Sequence, residues 1–404
     1  MVRYRSLRKI SSGLVLLLAL PALAIEVPAG TEIHLRLKTK VASNTSKARQ
    51  PVDAVVISPV VVNGQFAIPA GAPVRGFVRT AKAATKPDER AVLWLDFFEL
   101  TEGGTPVKIT SQVVNVDNAR ESVDPSGEIL GILASESISG QIEKGIGKVA
   151  EKYSGLAGIL EAAKSGFVGS AEGDIVYDPG VELTVKLTKP VQVNAGSSGI
   201  PDLKPIPSEV QLLQLVVKQP FQTMAQKPAR PSDMTNLMFV GSEEQLEKAF
   251  AAAGWSTAAA LSTQSKLETF RAIAELRGYK EAPVSILYLD GNPPDLVFEK
   301  QNNTFAQRHH LRIWRRPDTF EGQPVWVCAA THDTGIDFSE QDHTFIHKID
   351  PQIDRERAKV VSDLLVTGQV KSLALVDRPA VPHESQNATG DKLETDGQMA
   401  VVIF

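Results

Sequence analysis

The 404-residue sequence holds a single cysteine, Cys328, so no intramolecular disulfide can brace the fold in any redox compartment. It lies in Val325-Trp326-Val327-Cys328-Ala329-Ala330, a setting that suits a small core hydrophobe better than a reactive thiol. Aromatics are sparse at 6%, and there is no excess of positive charge: 43 Lys and Arg stand against 47 Asp and Glu, a formal net charge of −4. A surface of that balance cannot neutralise a phosphate backbone, which excludes nucleic acid as an expected partner. Long apolar runs are also missing. The longest, around Leu14-Val15-Leu16-Leu17-Leu18-Ala19-Leu20, falls short of the roughly 20 residues that span a bilayer.

That run has the flanks of an export signal. Arg3, Arg5, Arg8 and Lys9 precede it, and Ala22-Leu23-Ala24 supplies the small-x-small pattern of a signal peptidase site. The expectation is export to the periplasm or envelope with cleavage after Ala24, an uncleaved N-terminal anchor being the alternative. No cysteine follows the run, so a lipoprotein is not expected.

The length suggests two domains. In the first, residues 25–193, a proline–glycine turn recurs three times, at Pro28-Ala29-Gly30, Pro69-Ala70-Gly71 and Pro179-Gly180. After the first, Ile33, Leu35 and Leu37 alternate with Glu32, His34, Arg36 and Lys38; after the third, Val181, Leu183, Val185 and Leu187 alternate with Glu182, Thr184, Lys186 and Thr188. Period 2 with one polar side predicts half-buried antiparallel strands. Residues 91–100 and 106–116 read as a hairpin, and 131–169 as an insertion whose Ile138, Ile142, Ile146 and Val149 recur at helical spacing. Such a helix packs onto its own barrel or makes a peripheral membrane contact. The expected fold is an all-β barrel or sandwich with a helical insertion. The order of these pieces over residues 26–193 resembles the β-barrel domain of TrbI-like conjugation proteins, which form channels in type IV secretion.

Residues 194–232 are rich in proline and glycine and read as a linker, with one strand expected at 212–217. The second domain, 233–404, begins with a strand at 236–241 and a helix whose Ser242 and Gln245 form a capping box, closed by Gly254. A helix at 265–277 and strands at 283–289, 295–301, 308–316 and 324–330 follow. A last helix starts with Asp350 as N-cap and Pro351 in first position, and ends at Gly368. The class is α+β with a mainly antiparallel sheet. The segments Asn236-Leu237-Met238-Phe239-Val240-Gly241-Ser242, His310-Leu311-Arg312-Ile313-Trp314, Pro324-Val325-Trp326-Val327, Asp333-Thr334-Gly335-Ile336 and His347-Lys348-Ile349-Asp350-Pro351 together resemble the LssY C-terminal domain over about residues 233–403. Proteins of that family often carry phosphatidic-acid phosphatase type 2 or DedA-like membrane modules. This sequence shows neither, so the resemblance by itself does not imply a lipid-phosphatase role.

Six of the seven histidines fall between His309 and His383, which makes this stretch the candidate site. If 308–316 and 324–332 pair so that facing residue numbers sum to about 640, then Arg308, His310, Arg312, Trp314, Trp326 and His332 share one side. Guanidinium forks among imidazoles and indoles suit a phosphate or carboxylate, or else form a solvated face of stacked side chains. A metal set of His332, Asp333, His343, His347 and Asp350, with Asp337 in reserve, is the alternative; the His-x3-His spacing fits a helix, although Thr344-Phe345-Ile346 favours a strand. No nucleophile elbow accompanies Ser339 or Ser385. The expected function is therefore a non-enzymatic, exported envelope module that binds an anionic small molecule or envelope protein, with no required cofactor. A hydrolase using a divalent metal or His/Asp acid–base chemistry is the alternative.

Overall fold

Each proline–glycine turn releases the chain into a strand, because Gly30, Gly71 and Gly180 adopt φ values of 90°, 81° and 105° that L-side chains avoid. The computed structural model describes residues 24–86, 88–133, 174–194, 196–226, 229–257, 286–300, 307–339 and 344–404. Most of the expected leader and of the 131–169 insertion, the helix expected at 265–277, and His343 lie outside the described residues.

The principal strands of the first half are β1 (Ala24–Val27), β2 (Glu32–Leu37), β3 (Pro51–Val56), β4 (Pro73–Lys82), β5 (Val92–Glu102), β6 (Ser111–Val116), β7 (Glu182–Leu187) and β8 (Val191–Asn194). A nine-stranded sheet runs β6-β7-β2-β3-β4-β5 and finishes on two short strands, while β1 pairs with β8. It curls into a nearly closed barrel: Ser111 Oγ at one edge donates to the Phe97 carbonyl on β5 at 2.9 Å. Ile33, Leu35, Val52, Val74, Leu93, Leu95, Val113 and Val185 fill it. The hairpin expected from 106–116 divides in two. Thr105–Lys108 pairs with β5, and β6 turns away to pair with β7.

The stretch 196–226 is tied to both halves. Ala70 N donates to the Ser198 carbonyl at 2.9 Å, and Lys204 N to the Lys371 carbonyl at 2.7 Å. The strand expected at 212–217 is instead part of helix α1 (Glu209–Val217). Leu212, Leu215 and Val216 recur at i, i+3 and i+4 and bury one helical face, a spacing that a strand could not use.

The second half comprises β9 (Leu237–Val240), α2 (Glu243–Ala252), β10 (Trp255–Thr257), β11 (Leu296–Lys300), β12 (Arg308–Phe320), β13 (Gln323–Ser339), β14 (Thr344–Ile349), α3 (Ile353–Val366), β15 (Ser372–Asp377) and β16 (Gln398–Ile403). Its sheet runs β10-β11-β12-β13-β9-β16-β15, with β14 on the far end of β13. Among the described pairs only β9 and β16 run parallel, so the fold is α+β with an antiparallel-rich sheet. One side packs Phe239, Leu311, Ile313, Trp326 and Cys328 against α2 and α3. The other packs Met238, Trp314, Val325 and Val327 against α1. The Ser242–Gln245 capping box forms as expected. Helix α3 begins two residues later than its sequence suggested, with Gln352 as N-cap; Asp350 Oδ1 accepts from Gln352 N at 2.9 Å and turns the chain into the helix.

Candidate functional site

The hairpin β12–β13 pairs in the register Arg308↔Asp333, His309↔His332, Leu311↔Ala330 and Ile313↔Cys328. Facing numbers therefore sum to an odd value. With a side-chain period of 2, this separates His332 from Arg308, His310 and Arg312 and puts it on the same side as His309. The anion-binding face expected from the sequence does not form. Arg308 donates through Nε to Asp333 Oδ2 at 3.0 Å, His310 Nε2 to Asp333 Oδ1 at 2.9 Å, and Arg312 Nη1 to Asp233 Oδ2 at 2.9 Å, all buried. The two tryptophans go to opposite cores, Trp314 Nε1 donating to the Asn292 carbonyl and Trp326 Nε1 to the Gly241 carbonyl.

Of the metal set expected from the sequence, His343 lies outside the described residues, and His332 and Asp333 are not brought together. Asp333 and His332, being neighbours on a strand, point to opposite sides. His347 sits in strand β14 opposite Ile336, in a strand and not in the helix that the His-x3-His spacing calls for, and Asp350 is engaged at the start of α3.

What the register does bring together is a histidine pair at the junction of the two halves. The His309 and His332 rings stack with centroids 4.0 Å apart at 16°. His309 Nδ1 donates to Glu356 Oε2 at 2.7 Å, from the first turn of α3, and Nε2 faces Asp117 Oδ2 at 3.5 Å, from the end of β6 in the barrel. His332 Nε2 lies 3.4 Å from Asn118 Oδ1. Burial alone would lower the His309 imidazole, but the Glu356 charge and the hydrogen bonds to Asp117 and Glu356 outweigh it and raise the pKa to about 9. Burial and the cation beside it push His332 the other way. At neutral pH one ring is charged and the other is not.

Beside this pair, five charged side chains share a buried seam between barrel and sheet. Arg36 Nη2 donates to Glu182 Oε1 and Asp363 Oδ1, both at 2.8 Å. Lys300 Nζ lies 2.8 Å from Glu182 Oε1 and 2.7 Å from Asp363 Oδ2, and Lys359 Nζ 2.8 Å from Glu182 Oε2. Trp255 Nε1 completes Asp363 at 3.0 Å. Burial would raise the Glu182 carboxyl, yet Lys300, Lys359 and Arg36 hold it well below the usual carboxylate range. Gly254 matters at this contact: at φ 78° it carries the chain past the barrel, where a Cβ would meet Arg36 Cδ and the Gly180 carbonyl at 3.2 Å.

Of the pair, only His332 was a candidate from the sequence; His309 lay in the same histidine-rich stretch but was not singled out, and Arg36, Glu182, Lys300, Lys359 and Glu356 were not in view. Alternation correctly put Arg36 and Glu182 on the polar side of their strands, and a polar side looks the same whether water or another part of the chain covers it. A cleft of about 340 Å³ opens over the junction, lined by residues that include His34, Asp117, Thr184, His309, His332 and Lys359. A second, shallower depression of about 650 Å³, bordered by Gln222, Arg230, Glu384 and Lys392, contains no histidine.

A mostly β protein with a barrel-like first half and an antiparallel-rich α+β second half is thus defined by its fold. The family model for the LssY C-terminus matches residues 217–399, so the second half is an LssY-like C-terminal domain. That match includes His309, His332, Glu356, Lys359 and Asp363, whereas their partners Arg36, Asp117, Asn118 and Glu182 fall outside it. No curated protein matches the chain.

Proposed function

We propose that this is an exported cell-envelope protein and a non-enzymatic binding module, formed from residues 25–193 and 233–404 with 194–232 between them, whose ligand or partner docks at the junction cleft. The observation that carries the reading is the cleft's mixed polarity. Lys359, raised above its ordinary value by Asp363 and Glu182 in spite of burial, stays cationic beside charged His309, while Asp117 and Thr184 offer acceptors. That lining suits a small molecule with both an anionic group and hydrogen-bond donors. Inorganic phosphate and small hydroxy-acids should raise the unfolding temperature of the full mature chain, and Lys359→Met should abolish that protection. Equal protection in parent and variant would dismiss the cleft as the anion's site. For export, N-terminal sequencing of protein from the envelope fraction should begin at Ile25; a retained Met1–Ala24 segment would mean an anchored protein.

A second reading has one observation in its favour. A charged imidazole stacked on a neutral one provides a proton donor and an acceptor in the same cleft, the requirement for acid–base hydrolysis. Turnover of chromogenic phosphate or carboxylate esters that disappears in His332→Gln would establish it. A flat response across such a panel would leave the binding reading.

A further inference from the structure

We propose that the junction cleft holds a divalent transition-metal ion of the zinc class, ligated by His309, His332 and Glu356. It rests on the cleft being a binding site, though not on which organic ligand enters it. The three residues come from three elements: His309 and His332 face each other across β12 and β13, and Glu356 rises from the first turn of α3. Their ligand atoms lie within 4.8 Å of one another. Bonds of about 2.0–2.2 Å draw ligand atoms to about 3.5 Å apart, so the ion needs a contraction of about an ångström and a rotation of the stacked rings, now 16° from parallel, so that each ring plane points at it.

A second observation points to a missing cation. Glu356 is buried, its Oε2 accepts from His309 Nδ1, and its Oε1 has no hydrogen-bond partner. A carboxylate oxygen left so in a protein interior forfeits its hydration without replacement, a cost that metal ligation removes. The surroundings also suit ligation. If the ion takes His309 Nδ1, displacing its proton to solvent, Nε2 still faces Asp117 Oδ2 at 3.5 Å, the carboxylate–histidine–metal arrangement that fixes ring orientation. Asn118 Oδ1 plays the corresponding part for His332 Nε2 at 3.4 Å, leaving Nδ1 of that ring for the metal. Both supporting residues come from the barrel and all three ligands from the LssY-like half, so the complete site exists only when the two are joined. Two imidazoles and a carboxylate favour zinc, cobalt or nickel over magnesium or calcium, and three protein ligands leave a coordination position open. Two of the ligands, His309 and His332, line the cleft together with Lys359, so an anionic ligand bound there would meet the ion and the ammonium group together.

Cobalt(II) and zinc(II) titrated separately into the metal-free full mature chain test this. One equivalent of cobalt(II) should bind with the visible absorption of a four- or five-coordinate N/O site, and zinc should displace it. His332→Ala, a half-buried change that leaves the Glu356–His309 contact in place, should weaken binding at least 100-fold. Asp117→Asn should weaken it about 10- to 100-fold. His383→Ala, outside the cleft, should not alter it. Failure to bind in the micromolar range, or unchanged affinity in His332→Ala, would overturn the metal site. The two measurements on the parent protein separate the two readings: a cobalt spectrum without phosphate protection sinks only the anion proposal, and phosphate protection without cobalt binding sinks only the metal.

Discussion

At the residue scale, the informative side chains are those whose burial contradicts their polarity. Arg312 is 4% exposed and is spent on Asp233. Replacing it with Ala leaves a buried carboxylate without its counter-charge, which costs about 3–5 kcal/mol. Arg312→Ala should therefore lower the denaturation midpoint by that much; a stability within about 1 kcal/mol of the parent would return the arginine to the role of surface ligand. Cys328 presents the opposite case, with the environment its sequence suggested. It is fully buried, and burial pushes the thiol well above its usual range. A disulfide reagent should leave the native protein unmodified and titrate one thiol only after denaturation.

At the scale of elements, turns and alternation were legible and register was not. Pro-Ala-Gly and Pro-Gly marked three strand starts correctly because positive φ is a local demand of a turn. The hairpin register depends on two features of β12–β13. Glu321 and Gly322, at φ 48° and 73°, make a two-residue turn that opposes Phe320 to Gln323. An irregularity between Arg315 and Thr319 then shifts the pairing to His309↔His332. No residue pattern announces that two-position shift, which sets His309 directly opposite His332. Helix α1 was misread as a strand for another reason: Leu212 to Val217 is a short apolar run, and its helical period emerges only against the sheet it covers. Helix ends gave clearer signals. Ser242→Ala should cost about 1 kcal/mol by removing one half of the α2 capping box. Leu364→Ala, in the buried face of α3, should cost about 2–5 kcal/mol. Chemical denaturation measures both, and equal losses would mean that α3 contributes no more to the core than a surface cap does.

At the scale of the whole molecule, the polar sides of β2 and β7 become an interface. Glu182 has its carboxyl held far below the ordinary value by Lys300, Lys359 and Arg36. A depressed carboxyl stabilises the folded state fully above its unfolded pKa, near 4.5, and the contribution is lost as pH falls through the folded value. Stability should therefore be level with respect to this group above about pH 5 and decline below it. The Glu182→Gln variant should be less stable at neutral pH and show a shallower acid decline. An acid profile identical to the parent's would place the pH dependence elsewhere. Trp94 reports on the barrel and Trp255 on the second half, and with a shared ionic seam their signals should disappear at one denaturant concentration. Separate midpoints would show that the seam does not bind the halves into one cooperative unit.

That seam also limits how freely the modules could be exchanged. The LssY-like domain contributes Lys300, Lys359 and Asp363, and the barrel contributes Arg36 and Glu182. Transplanted onto a different N-terminal module, the domain would carry two lysines and an aspartate on a surface shaped to exclude water, missing the carboxylate that both lysines share. A functional graft would have to bring complements at positions 36 and 182, while Gly254 travels with the domain and already lets the two surfaces approach. The pairing thus behaves as a recognition code between segments of one polypeptide, and recombination would preserve it only by moving both sides together.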